Sequence, residues 1–173
     1  MTIETERLII RPLNIDDDLK DLLSIESDFS KSEYEHYDCK HPTTKSEITR
    51  MSERLTLFMV FLKTEKKGIG YITFYKNGND YDLGYCFHRS YQHKGYATES
   101  VVAFLNYQHS KGIQEFIAGT AEENKPSVKF LKKLGFEQYK KEILSFHKNV
   151  SFTGIWAKRT LPITEFDIKY KVY

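Results

Sequence analysis

A chain of 173 residues with 40% hydrophobic, 14% aromatic and 29% charged side chains can bury a packed core and is too rich in aromatics to be intrinsically disordered. Lysine and arginine number 26 against 24 aspartates and glutamates, a formal net charge of +2, which is too mild to argue for nucleic acid as the main partner. Two cysteines, Cys39 and Cys86, exclude a disulfide framework and point to a reducing compartment.

Met1 to Glu6 has neither the basic nor the apolar stretch of a signal peptide. The longest purely apolar run, Leu57 to Leu62, is too short to cross a bilayer. The expected setting is the cytoplasm, with neither membrane nor nucleic acid as partner. Nothing repeats and no Pro/Gly-rich linker interrupts the chain, so one domain over 1–173 is expected.

The elements follow in order. Arg7 to Leu13 is rich in branched apolar residues and predicts a strand. Asn14 to Asp18 offers a cap and an acidic first turn, and Leu19, Leu22, Leu23 and Glu26 continue at helical spacing. Residues 27–43 are polar and aromatic, with no period that decides their structure. Thr44-Lys45-Ser46-Glu47 matches a capping box, and Ile48, Met51 and Leu55 extend it into a second helix. Three strands follow, 57–64, 69–76 and 81–88, the last two joined by a turn at Asn77-Gly78. Ala97, Val101, Phe104 and Leu105 mark a helix closed by Gly112, and 116–120 is a short strand. Pro126 stands in the first turn of a helix with Val128, Leu131 and Leu134 on its apolar stripe and Gly135 beyond its end. Residues 138–147 and 150–158 predict a hairpin around Lys148-Asn149. The tail from Ile163 to Tyr173 alternates Phe166, Ile168, Tyr170 and Val172 against polar residues, which predicts a half-buried strand at a sheet edge or against another subunit, with a flexible tail as the alternative.

This order predicts an α+β (mixed α/β) fold: a central, mostly antiparallel sheet with helices on both faces. The strand–helix–strand step from 81 to 120 adds a parallel pair with a right-handed crossover.

Gln92-His93-Lys94-Gly95-Tyr96-Ala97 reads Q-x-x-G-x-A where a strand gives way to a helix. The chemistry this suits is anion capture. The first amides of a helix are unpaired, the dipole is positive there, and a glycine lets the backbone approach a phosphate closely. Lys94 and His93 add charge. An ordinary glycine-containing loop is the alternative. Other phosphate motifs fail: there is no G-x-x-x-x-G-K-[ST], and Gly68-Ile69-Gly70 lacks a third glycine. The spacings His36/His41 and His88/His93 fit no common zinc pattern, so no metal is expected.

Further motifs stand around this loop. Thr5 to Leu13 reads T-E-R-L-I-I-R-P-L. Leu83-Gly84-Tyr85 precedes Gly95-Tyr96-Ala97-Thr98-Glu99, and Asn124-Lys125-Pro126-Ser127 precedes Lys133-Leu134-Gly135-Phe136. In this order they resemble the GNAT superfamily of N-acetyltransferases, in particular the branch containing the ribosomal-protein N-terminal acetyltransferases RimJ and RimL. The resemblance ends near Leu161, which leaves 161–173 as a C-terminal strand extension.

The resemblance implies a GNAT-like three-layer fold and acetyl-CoA as cosubstrate. It places the pyrophosphate on the amides from Gln92 to Ala97 and the pantetheine between splayed strands 84–88 and 116–120. Asn124 would bond near the pantetheine, and amides near Phe87 and His88 would hold the oxyanion. Many relatives carry a tyrosine acid on the last helix. Here that position is Leu131, and Ser127 is the substitute, with helix capping as its alternative role. Asp82 stands where related enzymes place a catalytic glutamate, with a solvated hairpin residue as the other reading. Glu99 belongs to the motif, or else caps a first turn. Tyr34, His36 and Tyr37 would line the acceptor wall. One of Lys129, Lys132 and Lys133 would meet the cofactor's 3′-phosphate, or all three form a solvated face. Cys86 reads as a small core residue.

The implied reaction is direct transfer of acetyl to a primary amine, with a protein N-terminal α-amine as the first choice. At neutral pH an α-amine with a pKa near 8 is roughly 300-fold richer in its reactive form than a lysine near 10.4. A small amine (polyamine or antibiotic-like) acceptor, a non-catalytic acyl-CoA-binding protein and a nucleic-acid-associated domain are the alternatives. The assembly is expected to be a monomer or a homodimer.

Overall fold

The computed structural model describes residues 1–37, 41–145 and 150–173. Its elements in order are β1 (Ile3–Glu4), β2 (Leu8–Pro12), α1 (Ile15–Phe29), α2 (Lys45–Arg54), β3 (Thr56–Leu62), β4 (Lys67–Asn77), β5 (Asp80–Phe87), α3 (Tyr96–Ser110), β6 (Glu115–Ala121), α4 (Lys125–Lys133), β7 (Glu137–Ser145), β8 (Ser151–Thr160) and β9 (Lys171–Val172). Together they build the mixed α/β fold expected from the sequence. The strands form one sheet in the order β7-β8-β6-β5-β4-β3-β2-β1-β9. Every neighbouring pair is antiparallel except β5 and β6.

Local chemistry sets the helix starts. The Asn14 side chain accepts from the Asp16 amide, and three aspartates fill the first turn of α1. One of them, Asp18, is buried and takes a bidentate pair from Arg11 at 2.7 and 2.8 Å. Thr44 and Glu47 close a capping box on α2.

The central strand β3 explains the layering. Leu57 and Met59 pack under α1 and α2 with Leu22, Ile25, Ile48 and Tyr71. Phe58, Val60 and Leu62 pack under α3 with Val101, Phe104 and Leu105. A strand covered on both faces reads as an unbroken apolar run, as this one does. Phe104 stands 5.0 Å from Phe58 and 5.6 Å from Phe74, ring centre to ring centre. Such tilted aromatic pairs add about 1 kcal/mol each beyond the area they bury.

Two expectations need correction. The β4–β5 turn is centred on Gly78-Asn79, one residue later than expected, because Asn77 pairs with Asp80 and Gly78 (φ +63°) supplies the positive φ. The tail is not a continuous strand. The Asn106 amide takes both backbone groups of Ile163 (2.8 and 2.7 Å), which keeps that residue out of a ladder. Only Lys171–Val172 pairs, with β1 of the same chain. Phe166, Ile168 and Tyr170 still pack against the core. Their alternation therefore reported burial rather than strand pairing. The expected turn at Lys148-Asn149 lies outside the described residues, as does Cys39.

Candidate active site

β5 bonds along its length to β4, and β6 along its length to β8. Between β5 and β6 the register contains a single pair among the described residues, Asp82 with Ile117. Beyond it the two strands splay. The facing edges at 83–87 and 118–121 are left with peptide groups for another partner, and an amide-rich extended chain would satisfy them. The gap opens into a groove of ≈ 1490 Å³, larger than the roughly 300–1,000 Å³ of ordinary small-molecule sites. It has room for an elongated cofactor and a second substrate together.

The loop after β5 is built from its own side chains. His88 Nδ1 accepts from the Ser90 amide at 3.2 Å and starts a single tight turn at Arg89–Tyr91. Arg89 is pinned to Asp28 of α1. Gln92 Nε2 donates to the Phe87 carbonyl at 2.8 Å. The chain then takes positive φ at His93 (+60°) and Gly95 (+85°). Gly95 is the N-cap of α3 and offers no side-chain acceptor to the amides that follow. Those amides meet the groove with the positive end of the helix dipole behind them.

A buried anchor holds this helix start. Glu99, in the first turn of α3, accepts from the Thr5 hydroxyl (2.6 Å), the Arg7 amide (3.0 Å) and Arg7 Nε (2.6 Å). Arg7 also donates to the Lys94 carbonyl at 3.1 Å and lies 4.6 Å over the Tyr96 ring. The T-E-R segment and the G-Y-A-T-E segment are thus one bonded unit. Arg7 adds a fixed positive charge beside Gly95, where a Cβ would stand 3.2 Å from its Nη2.

Of the loop residues expected to bind the cofactor, Phe87, Gln92, His93, Gly95, Tyr96 and Ala97 line the groove, and so do Asn124 and Ser127. His88 and Lys94 are not among its lining residues. His88 is used in capping, and the Lys94 ammonium lies 5.5 Å over the Tyr91 ring. Lys129 and Lys133 also line the groove, the latter donating to Thr98 at 3.1 Å.

Two candidate proton carriers face the gap from opposite sides of the sheet. Asp82 is 7% exposed, not a solvated hairpin residue. Burial pushes its carboxyl up to about 6, against the opposing effects of the Tyr75 hydroxyl (3.0 Å) and the Leu83 amide. Ser127, whose amide is capped by Asn124 at 3.2 Å, stands with its Oγ 2.9 Å from the Tyr85 hydroxyl. Tyr85 packs edge-on against Phe130 at 4.8 Å. Burial holds its phenol well above the ordinary value, so it keeps its proton. When Tyr85 donates to Ser127, the serine's own proton is free for a third group. Leu131 is buried and apolar.

Tyr34 and Tyr37 also line the groove. His36 is not a lining residue; its ring is tilted against that of Tyr37 with centres 3.9 Å apart, and Tyr37 in turn meets Phe152 of β8 at 5.2 Å. No three potential metal ligands converge among the described residues.

Sequence reasoning missed Tyr85, Tyr75 and Arg7. Tyr85 stands in the L-G-Y motif, but only the strand's alternation and the position of α4 bring it to Ser127.

Residues 7–137 match the acetyltransferase (GNAT) domain model. The uncharacterized N-acetyltransferase YnaD of Bacillus subtilis is 31% identical over 146 residues, which cover 80% of this chain and 84% of that protein. A GNAT-family acetyltransferase structure from Bacillus anthracis superposes with a TM-score of 0.77 at 26% identity, covering 92% of this chain and 98% of the other. The ribosomal-protein-S5-alanine acetyltransferase of Vibrio fischeri shares the fold at a TM-score of 0.73 and 18% identity, covering 96% and 99%.

Proposed function

The chain belongs to the GNAT acetyltransferase family, and on that premise we propose that it moves acetyl from acetyl-CoA to a protein N-terminal α-amine, as a member of the RimJ/RimL-like branch. The observation that carries the reading is the splayed β5–β6 gap, which runs from the bare amides of α3 to a buried carboxylate and a hydroxyl pair.

The family's acetyl donor is acetyl-CoA, which supplies the activated thioester. The amides from His93 to Ala97, with Arg7 and Lys133 nearby, hold its pyrophosphate. The edges of β5 and β6 bond its amide arm. Asp82 takes the proton from the attacking ammonium, directly or through water. A carboxylate near 6 is a better match to this task than an ordinary aspartate. The amine nitrogen bonds to the carbonyl carbon, and the tetrahedral oxyanion rests on amides at the end of β5. The C–S bond then breaks, the surplus proton of the attacking nitrogen passes through the Ser127 hydroxyl, oriented by Tyr85, to the departing sulfur, and CoA leaves as the thiol.

Thiol release from acetyl-CoA in the presence of peptides with free or blocked N-termini, and of small amines, tests the proposal. Turnover that needs a free α-amine is expected. Coenzyme binding with no turnover on any amine would overturn it in favour of a binding module.

A further inference from the structure

The groove contains a second buried carboxylate that the transfer chemistry does not use. Glu26 lies on the last turn of α1, is 1% exposed and lines the groove. His41 Nδ1 meets one oxygen, Oε2, at 2.5 Å. The other oxygen, Oε1, is buried and has no hydrogen-bond partner among the described residues. A buried acceptor left without a donor is destabilising, so a donor brought by a ligand is strongly held.

The surroundings define that donor. The Phe29 ring stands 4.5 Å from that of His41, Tyr34, Tyr37 and Tyr71 line the same groove, and aromatic faces favour organic cations. Ile25, one residue before Glu26, packs in the cluster that contains Tyr71 and Cys86. Cys86 and Asp82 point to the same face of β5, four residues apart, about 13 Å along the strand. Asp82 and the cluster beside Glu26 therefore share one face of the sheet, the face that α1 and α2 cover.

We infer that Glu26, held by His41 and walled by aromatic rings, is a subsite for a second cationic group of the acceptor, separated from the amine that is acetylated. The inference rests on the transfer reading above and adds the substrate class: an acceptor bearing an ammonium or guanidinium beyond its reacting nitrogen. Such a cation comes either from a basic side chain of a polypeptide or from a small diamine.

The experiment pairs acceptors that differ only in that cation: peptides with lysine or norleucine at the third position, and 1,5-diaminopentane against pentylamine. In the native enzyme kcat/KM for the cationic member of a pair is expected to be at least about tenfold higher, the effect of one charge-assisted hydrogen bond. In Glu26→Gln that ratio falls toward one, and in Glu26→Asp it falls only partway. The coenzyme dissociation constant is expected to stay the same. A larger ratio for the peptide pair assigns the cation to a polypeptide, and a larger ratio for the amine pair assigns it to a small diamine. A native ratio near one in both pairs, a ratio that survives in Glu26→Gln, or a loss of coenzyme affinity instead overturns the subsite. If no amine is acetylated, calorimetry of diaminopentane on the CoA-loaded protein still decides. Binding that is lost in Glu26→Gln upholds the subsite while the transfer reading fails, and no binding to the native protein overturns the subsite.

Discussion

Replacing Asp82 with asparagine should make the protein more stable and the enzyme slower. Asp82 is buried, and its carboxyl rises from an ordinary 3.8 to about 6. Between roughly pH 4 and 6 the folded state therefore holds a proton that the unfolded chain has lost. Stability must fall as pH rises through this window, and the full penalty is present above about 6. The penalty corresponds to about 3 kcal/mol as an upper value. The introduced amide would keep an acceptor for the Tyr75 hydroxyl, now at 3.0 Å, and would carry no charge to desolvate. At pH 8 Asp82→Asn should melt higher by at most about 6–12 °C for a chain of this size, and the gain should shrink toward zero near pH 4. The same substitution removes the base, so kcat/KM should drop by about a hundredfold or more and lose its acidic limb near 6. Melting curves at pH 4 and pH 8, together with pH–rate profiles, check both halves. Equal melting temperatures at both pH values and an unchanged rate would refute the role given to Asp82.

Three further outcomes follow from the geometry. Gly95→Asp forces a side chain at φ +85°, crowds Arg7 and sets a negative charge at the start of α3; calorimetry should show loss of CoA affinity by at least about a hundredfold. Ser127→Ala should lower kcat about tenfold or more with the coenzyme dissociation constant nearly unchanged, and Tyr85→Phe should reproduce part of that loss because Ser127 then loses its orienting donor. Glu99→Ala removes the acceptor for Thr5, the Arg7 amide and the Arg7 guanidinium. It should cost about 2 kcal/mol in denaturant unfolding, a modest figure because Arg7, 42% exposed, can turn to water.

The sequence foretold the elements where local chemistry decides them. The capping box at Thr44 and Glu47, the apolar run in β3 and the glycine after α4 each carry their own physical instruction. The splayed gap was legible only through the resemblance, since no local rule tells two strands to pair at one position and part at the next. The tail misled because a period of two reports which side chains are covered, and coil can cover side chains as well as a strand. β1 was missed because a strand of Ile3–Glu4 has no period to read. Within the site, the glycine loop announced itself by residue type. Tyr85 meeting Ser127, Glu26 meeting His41 and Arg7 beside Gly95 span 42, 15 and 88 positions of sequence. Those pairings arise from how the sheet stacks its neighbours.

The account stands most directly on where the coenzyme lies, and a crystal structure with acetyl-CoA measures that. The account predicts diphosphate oxygens within hydrogen-bond reach of the amides between His93 and Ala97, the pantetheine between β5 and β6, and the thioester carbonyl beyond Phe87 with its sulfur facing Ser127. Coenzyme bound outside the β5–β6 gap, or a gap closed by strand pairing when the coenzyme is present, would contradict it.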